Sequence, residues 1–184
     1  MKFGTREEVK IDVAHSELIK GLILAHKPVS ILEMGVGGGQ STNAILSGIE
    51  YNAQDYNYTL VDNWLDFEGK CPQEVVDLYS DKMDIVTSDE KDFVFSTKDT
   101  YDFIMSDADH YQTDQWFEHV YDNLLNPGGI LIYHDVNLID ENAFKNLITI
   151  YDRCKEQGKS HMLFNKNTLP TERCHRGLLV IFKN

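Results

Sequence analysis

The chain has 184 residues, a formal net charge of −13 and no run of lysine or arginine, which fits one domain spanning 1–184 and speaks against nucleic acid and anionic membrane surfaces as partners. It contains no apolar span of about 18 residues, and the start, Met1-Lys-Phe-Gly-Thr-Arg-Glu-Glu8, lacks the apolar stretch of a signal peptide. Cys71, Cys154 and Cys174 have no Cys-x-x-Cys spacing, so a cytoplasmic protein with reduced thiols is expected.

Residues 13–26 place Val13, Leu18, Ile19, Leu22, Ile23 and Ala25 at helical spacing, with Asp12 as N-cap and Pro28 as stop. A strand over 29–34 follows and runs into Gly35-Val-Gly-Gly-Gly-Gln-Ser-Thr42, which reads as a tight turn opening a helix over 41–49. Glycines there permit positive φ and a close backbone approach to a ligand, and the helix start offers unpaired N–H groups. Tyr58–Asp62 is a strand ending in an acid that can accept hydrogen bonds from a ribose, or simply be solvated.

Residues 63–82 do not read as sheet. Trp64, Leu65 and Phe67, with a short helix over 72–79, suggest an excursion that forms a lid or substrate wall, or else packs down as satellite core. A strand over 85–89 ends in Ser-Asp, and a strand over 101–107 runs into Asp107-Ala-Asp109-His110-Tyr111. Ionisable groups at the carboxyl end of a strand sit where open α/β sheets bind ligands. A helix is expected over 114–125, with Trp116, Phe117, Val120, Tyr121, Leu124 and Leu125 as a core stripe. Asn126-Pro-Gly-Gly129 ends it, and Ile130–Asp135 is a strand closing in His134-Asp135. A helix over 141–157 turns Phe144, Leu147, Ile148, Tyr151 and Cys154 inward and stops at Gly158. The runs 160–164 and 177–182 form a closing strand pair, joined by a polar linker with Arg173, Cys174, His175 and Arg176.

The spacing Glu33-x-Gly35-x-Gly37-x-Gly39 departs from the Gly-x-Gly-x-x-Gly of dinucleotide sites. The acid before the glycines resembles the first motif of class I S-adenosylmethionine methyltransferases. Together with Asp107-Ala-Asp-His-Tyr111 and Leu124-Leu-Asn-Pro-Gly-Gly-Ile-Leu-Ile-Tyr-His-Asp135, the chain resembles the Methyltransf_24 type, similar to catechol and macrocin-type sugar O-methyltransferases. The resemblance implies a Rossmann-like sandwich, with a seven-stranded sheet ordered 3-2-1-4-5-7-6, its last strand antiparallel and helices on both faces. It implies S-adenosylmethionine as cofactor, with Glu33 supporting the loop and Asp89 at the position that meets the adenine amino group. The expected cofactor set is Glu33, Gly35, Gly37, Gly39, Ser41, Asp62, Asp89 and Asp107.

Methyl transfer from a sulfonium to a hydroxyl requires alignment and an activated oxygen, because a phenol has a pKa of about 10 and attacks poorly at neutral pH. Two routes stay open. The resemblance implies a divalent metal at Asp107 and the pair His134-Asp135, where histidine in place of an oxygen ligand moves preference from Mg²⁺ toward Mn²⁺, Fe²⁺ or Zn²⁺. Alternatively His110, three positions beyond Asp107, is a general base beside it, and Asp109 points away or braces that histidine. Asp107 and Asp135 capping strand ends is the plain alternative. The expected activity is transfer to a small sugar or phenol hydroxyl; an N-methyltransferase and a non-catalytic cofactor-binding protein are the other readings. Exposed helices of such domains often pair, so a homodimer stays open.

Overall fold

The computed structural model describes residues 13–37, 39–53, 55–138, 144–164 and 177–184. Asp12, Gly38, the first residues of the helix expected from 141, and the linker 165–176 lie outside them. Seven strands share one sheet: β1 Ser30–Met34, β2 Asn57–Asp62, β3 Asp84–Thr87, β4 Tyr101–Ser106, β5 Leu125–His134, β6 Ser160–Phe164 and β7 Leu178–Phe182. Their order is β3-β2-β1-β4-β5-β7-β6, as expected. β1 to β5 pair in parallel, and β7 lies antiparallel between β5 and β6.

The period of two along each strand separates two cores. Ile31 packs with Tyr58, Leu60 and Phe103 on one face, while Leu32 and Met34 pack with Val61, Ile104 and Leu131 on the other. The first face is covered by α1 (Val13–His26), α2 (Gln40–Asn52) and α3 (Gln73–Tyr79). The second is covered by α4 (Glu90–Ser96), α5 (Phe117–His119) and α6 (Lys145–Glu156). With both faces covered, the strands become continuous apolar runs. α1 presses closely on α2: a Cβ at Gly48 would stand 2.6 Å from Ile23 Cγ2. Ile19 and Ile23 are sealed at that contact, whereas Ala25 is exposed. Among the described residues, no helix is long and apolar enough to cross a membrane.

The segment expected as one helix over 114–125 is broken up. A 3-10 turn at Thr113–Gln115 leads into α5, and Val120–Leu124 winds as a π-helix. Trp116, Phe117, Val120, Leu124 and Leu125 are buried, but Tyr121 lies at the margin with Lys159 Nζ 3.7 Å over its ring. Asn126-Pro-Gly-Gly129 belongs to β5 rather than ending a helix. Gly128 N–H donates to Lys183 O at 2.7 Å, and Lys183 N–H donates to Gly129 O at 3.0 Å. β3 stops at Thr87, and Ser88-Asp89 turns into α4, a helix of seven residues absent from the sequence reading. Its Phe-Val-Phe composition carries no helical signature over so short a span. The 63–82 excursion divides: Trp64 is buried in the core, Leu65 is 75% exposed and Phe67 is half-buried.

Candidate active site

The glycine loop is fixed by the strands on either side of β1. Gly35 N–H donates to Val61 O at 2.9 Å, and Asp107 N–H donates to Met34 O at 2.8 Å. Gly35 has φ +85°, and a Cβ on it would lie 2.4 Å from the Asp107 carbonyl oxygen, so only glycine lets the ends of β1 and β4 come together. Gly37 and Gly39 also have positive φ, 48° and 70°. Gly39 is the N-cap of α2.

Glu33 sits beneath this loop with no solvent exposure. It accepts hydrogen bonds from Ser41 Oγ at 2.5 Å, from Thr42 Oγ1 at 2.9 Å and from the Tyr58 hydroxyl. Burial dominates its titration and pushes the carboxyl up to about 7, against the pull of those three donors. Asp62 is a strut rather than a solvated acid. Its Oδ2 accepts Val36 N–H at 2.8 Å and its Oδ1 accepts Trp64 N–H at 2.7 Å, tying the glycine loop to the end of β2. Asp89 Oδ1 accepts from Asn63 Nδ2 at 2.8 Å.

A cleft of about 840 Å³ opens over the carboxyl ends of β1, β2 and β4. Gly35, Gly37, Asp62, Asp89 and Asp107 line it, whereas Glu33, Gly39 and Ser41 are not part of its wall. Leu65, Phe67, Tyr111 and Phe144 give it apolar surface, and Lys91 and Asp92 belong to its rim. Free Cys154 stands apart: it is buried behind the sheet, and burial raises its thiol to about 12.

Where β4 and β5 end, two carboxylates and two imidazoles meet. His110 Nε2 is 3.2 Å from Asp107 Oδ1 and 3.2 Å from Asp135 Oδ2. His134 Nδ1 is 3.0 Å from Asp135 Oδ1 and 3.3 Å from Asp107 Oδ1. His134 is fully buried, so both acids face its Nδ1 as ion-pair partners shielded from water. One ligand atom each from Asp107, His134 and Asp135 lies within 4.8 Å of the other two. Asp135 holds φ at 62°, a left-handed conformation that aspartate tolerates better than most residues.

Burial disfavours the charged imidazolium of His110, but Asp107 and Asp135 outweigh it and raise its pKa to about 9. The same opposition at His134, with Asp107 first among the acids, raises it to about 10. Burial also works to raise Asp107, yet His134 and His110 hold its carboxyl below the ordinary range. Asp109 does not contact the reacting centre through its carboxylate. Its Oδ1 accepts Tyr111 N–H at 2.8 Å and Gln112 N–H at 3.1 Å, bracing the backbone of the loop that carries His110.

Three contributors escaped the sequence reading. Glu90 is buried at the start of α4 and receives Ser106 Oγ at 2.8 Å, Asp109 N–H at 3.1 Å and Thr113 Oγ1 at 3.3 Å. Phe144, expected as core, stacks on His110 with centroids 4.6 Å apart. His15 reaches His134 from α1, Nδ1 to Nε2 at 3.4 Å. Of these only His15 left a signal, since 15, 19 and 23 share one helical face.

The sheet order and the loop over β1 define a class I methyltransferase fold. The Methyltransf_24 sequence family, a methyltransferase domain, matches residues 32–136, and the chain belongs to that family. Its fold is similar to an O-methyltransferase from Bacillus cereus solved with S-adenosylhomocysteine, at 17% identity and TM-score 0.70 over 95% of this chain and 83% of that one. TomG from Streptomyces achromogenes, an O-methyltransferase of tomaymycin synthesis solved with S-adenosylmethionine, is 14% identical at TM-score 0.73, covering 97% and 83%. A Staphylococcus aureus protein described as a candidate caffeoyl-CoA O-methyltransferase is 21% identical at TM-score 0.74, covering 97% and 87%. A stretch of the hybrid PKS-NRPS synthetase gkaA of Penicillium citrinum is 34% identical over 124 residues, which is 65% of this chain and 3% of that protein's length.

Proposed function

We propose that this protein transfers the methyl group of S-adenosylmethionine to a hydroxyl of a small molecule of phenol or sugar type, with Asp107, His134 and Asp135 holding a divalent metal. The observation that carries the metal reading is the convergence of one ligand atom each from Asp107, His134 and Asp135, all within 4.8 Å of one another at the carboxyl ends of β4 and β5. Such convergence suits a cation, and one imidazole with two carboxylates suits Mn²⁺, Fe²⁺ or Zn²⁺ better than Mg²⁺. The cleft also fits the cofactor: a nucleoside presents hydroxyl and amino donors, and Asp62 at the end of β2 and Asp89 at the N-cap of α4 stand in its wall to receive them.

When bound, S-adenosylmethionine supplies a methyl group on a positively charged sulfur, and a divalent ion lowers the pKa of a hydroxyl beside it. Everything else is done by the chain. Glu33, Ser41, Thr42 and Tyr58 keep the glycine loop rigid from below. Leu65, Phe67 and Tyr111 present apolar surface to the acceptor and thin the water around it. Phe144 fixes the plane of His110 by stacking. His110 Nε2, at the mouth, is the atom that takes the hydroxyl proton. With its pKa near 9 it is protonated at pH 7 while it and His134 are the cations that answer the two carboxylates. Those carboxylates are the ones assigned to the ion, so the ion's charge removes the reason for His110 to keep its proton. A metal-free route through His110 lacks that release, which favours the metal-assisted reading.

The test is turnover of labelled S-adenosylmethionine against a panel of vicinal phenols, monophenols and sugars, after chelation and with each metal restored singly. Methylation of a hydroxylated acceptor that is lost on chelation and returns with Mn²⁺ before Mg²⁺ is expected. Asp107→Asn should lower turnover at least 100-fold while leaving the product in the same chemical class. Turnover indifferent to chelation would overturn the metal, and methylation confined to amines would overturn the hydroxyl.

A further inference from the structure

His15 shares the buried stripe of α1 with Ile19 and Ile23, is 4% exposed, and lies on the far side of His134 from the carboxylates. The two rings meet edge to face, with centroids 5.5 Å apart and an interplanar angle of 82°. His15 Nδ1 and His134 Nε2 are 3.4 Å apart. His134 itself has no exposure and ends β5, so its ring cannot swing to offer the other nitrogen without leaving the core.

The geometry points to His15 as a positioning residue that selects which nitrogen of His134 faces the metal, an inference that rests on the metal-assisted reading above. A neutral imidazole carries one N–H and one lone pair. With Nε2–H donating to His15 Nδ1, the lone pair falls on Nδ1, which stands 3.0 Å from Asp135 Oδ1 and 3.3 Å from Asp107 Oδ1. In the opposite arrangement His15 Nδ1–H would donate to His134 Nε2 and His134 would set its own N–H against that shared point, leaving no lone pair there for a metal, so the protons of the two rings are coupled through this contact. Hydrogen bonding to the far nitrogen of a metal-binding histidine is a general way to fix its tautomer and raise its basicity. α1 packs behind α2, outside the glycine loop, and thus contributes to the centre through His134 rather than by touching the ligand.

The test uses the full chain with ¹⁵N-labelled histidines, loaded with ¹¹³Cd²⁺ as a spectroscopic probe and titrated separately with Mn²⁺. Coupling of the metal to Nδ1 of His134, with a proton retained on Nε2, is expected. His15→Phe keeps the ring but offers no acceptor, and it should weaken Mn²⁺ binding by about 10- to 100-fold. His15→Asn places an amide oxygen near the position of Nδ1 and should recover most of that loss. Calorimetric binding of S-adenosylhomocysteine reports that each variant is folded. Coupling through Nε2, equal Mn²⁺ affinity in His15→Phe, or equal losses in the Phe and Asn variants would each overturn the role of His15 while leaving the metal in place. Failure of the unaltered protein to bind Cd²⁺ or Mn²⁺ at Asp107 and His134 would overturn the metal reading itself, and the role of His15 with it.

Discussion

A single buried acid shows how far chemistry at one residue reaches into the fold. Glu33 was legible in the sequence as the acid before the glycines, but its cost was not. Burial holds its pKa at about 7, above the ordinary 4.5, so between those values the folded chain binds the proton that the unfolded chain has released. By linkage, stability contributed by this group is full below about pH 4.5 and declines as pH rises toward 7. The shift corresponds to roughly 3 kcal/mol. Urea unfolding midpoints taken at intervals from pH 4.5 to 6.5, below the range where His110 and His134 add their own dependence, should fall in the unaltered protein and fall less steeply in Glu33→Gln. An unchanged slope in the variant would assign the dependence to another group. Asp62 teaches the complementary lesson: its place at the end of β2 was readable, but its bonds to Val36 and Trp64 depend on a loop geometry that no spacing encodes.

Elements were legible where periodicity is long and lost where it is short. β1, β2, β4 and β7 are runs whose burial on both faces leaves a clear signal, and α1 and α2 show their inner stripes. α4 has two turns and two buried apolar residues, Phe93 and Val94, too few to establish a period. Missing it hid Glu90, which the helix carries under the end of β4 to hold the loop of Asp109 and His110. The π-helix at Val120–Leu124 escaped for a related reason, since one extra residue per turn shifts the stripe without changing its composition. Replacing Glu90 by alanine strands the Ser106 and Thr113 hydroxyls and the Asp109 N–H, groups with little access to water. The expected loss is about 2 to 3 kcal/mol in chemical unfolding, since unsatisfied buried groups cost that order. Weaker Mn²⁺ binding should accompany it, because the loop that presents Asp107 loses its anchor. Glu90→Gln, which retains an acceptor oxygen, should lose less on both counts. Equal stability of the alanine variant would show that the loop stands without the Glu90 carboxylate.

At the scale of the whole molecule, part of the acidic excess behind the net charge of −13 lies where it has chemical effect. Asp62, Asp89, Glu90, Asp92, Asp107, Asp109 and Asp135 all line the cleft, with Lys91 and His110 as the cationic groups among the lining residues. Low-dielectric walls concentrate the field of such a group and raise the local concentration of cations. S-adenosylmethionine carries one more positive charge than S-adenosylhomocysteine, at the atom that donates the methyl group. The field therefore favours the substrate form of the cofactor over the product form, and transfer of the methyl group removes the charge that held it. Salt screens this discrimination, with a Debye length of about 30 Å at 0.01 M falling to about 3 Å at 1 M. Calorimetric affinities for the two compounds, measured at low and at high ionic strength, should give a ratio in favour of S-adenosylmethionine that shrinks as salt rises. The S-adenosylhomocysteine affinity alone should change little, because its net charge is zero. A ratio indifferent to salt would mean that contacts around the sulfur, rather than the acidic cleft as a whole, distinguish the two forms, and the clustering of carboxylates would then belong to the metal centre alone.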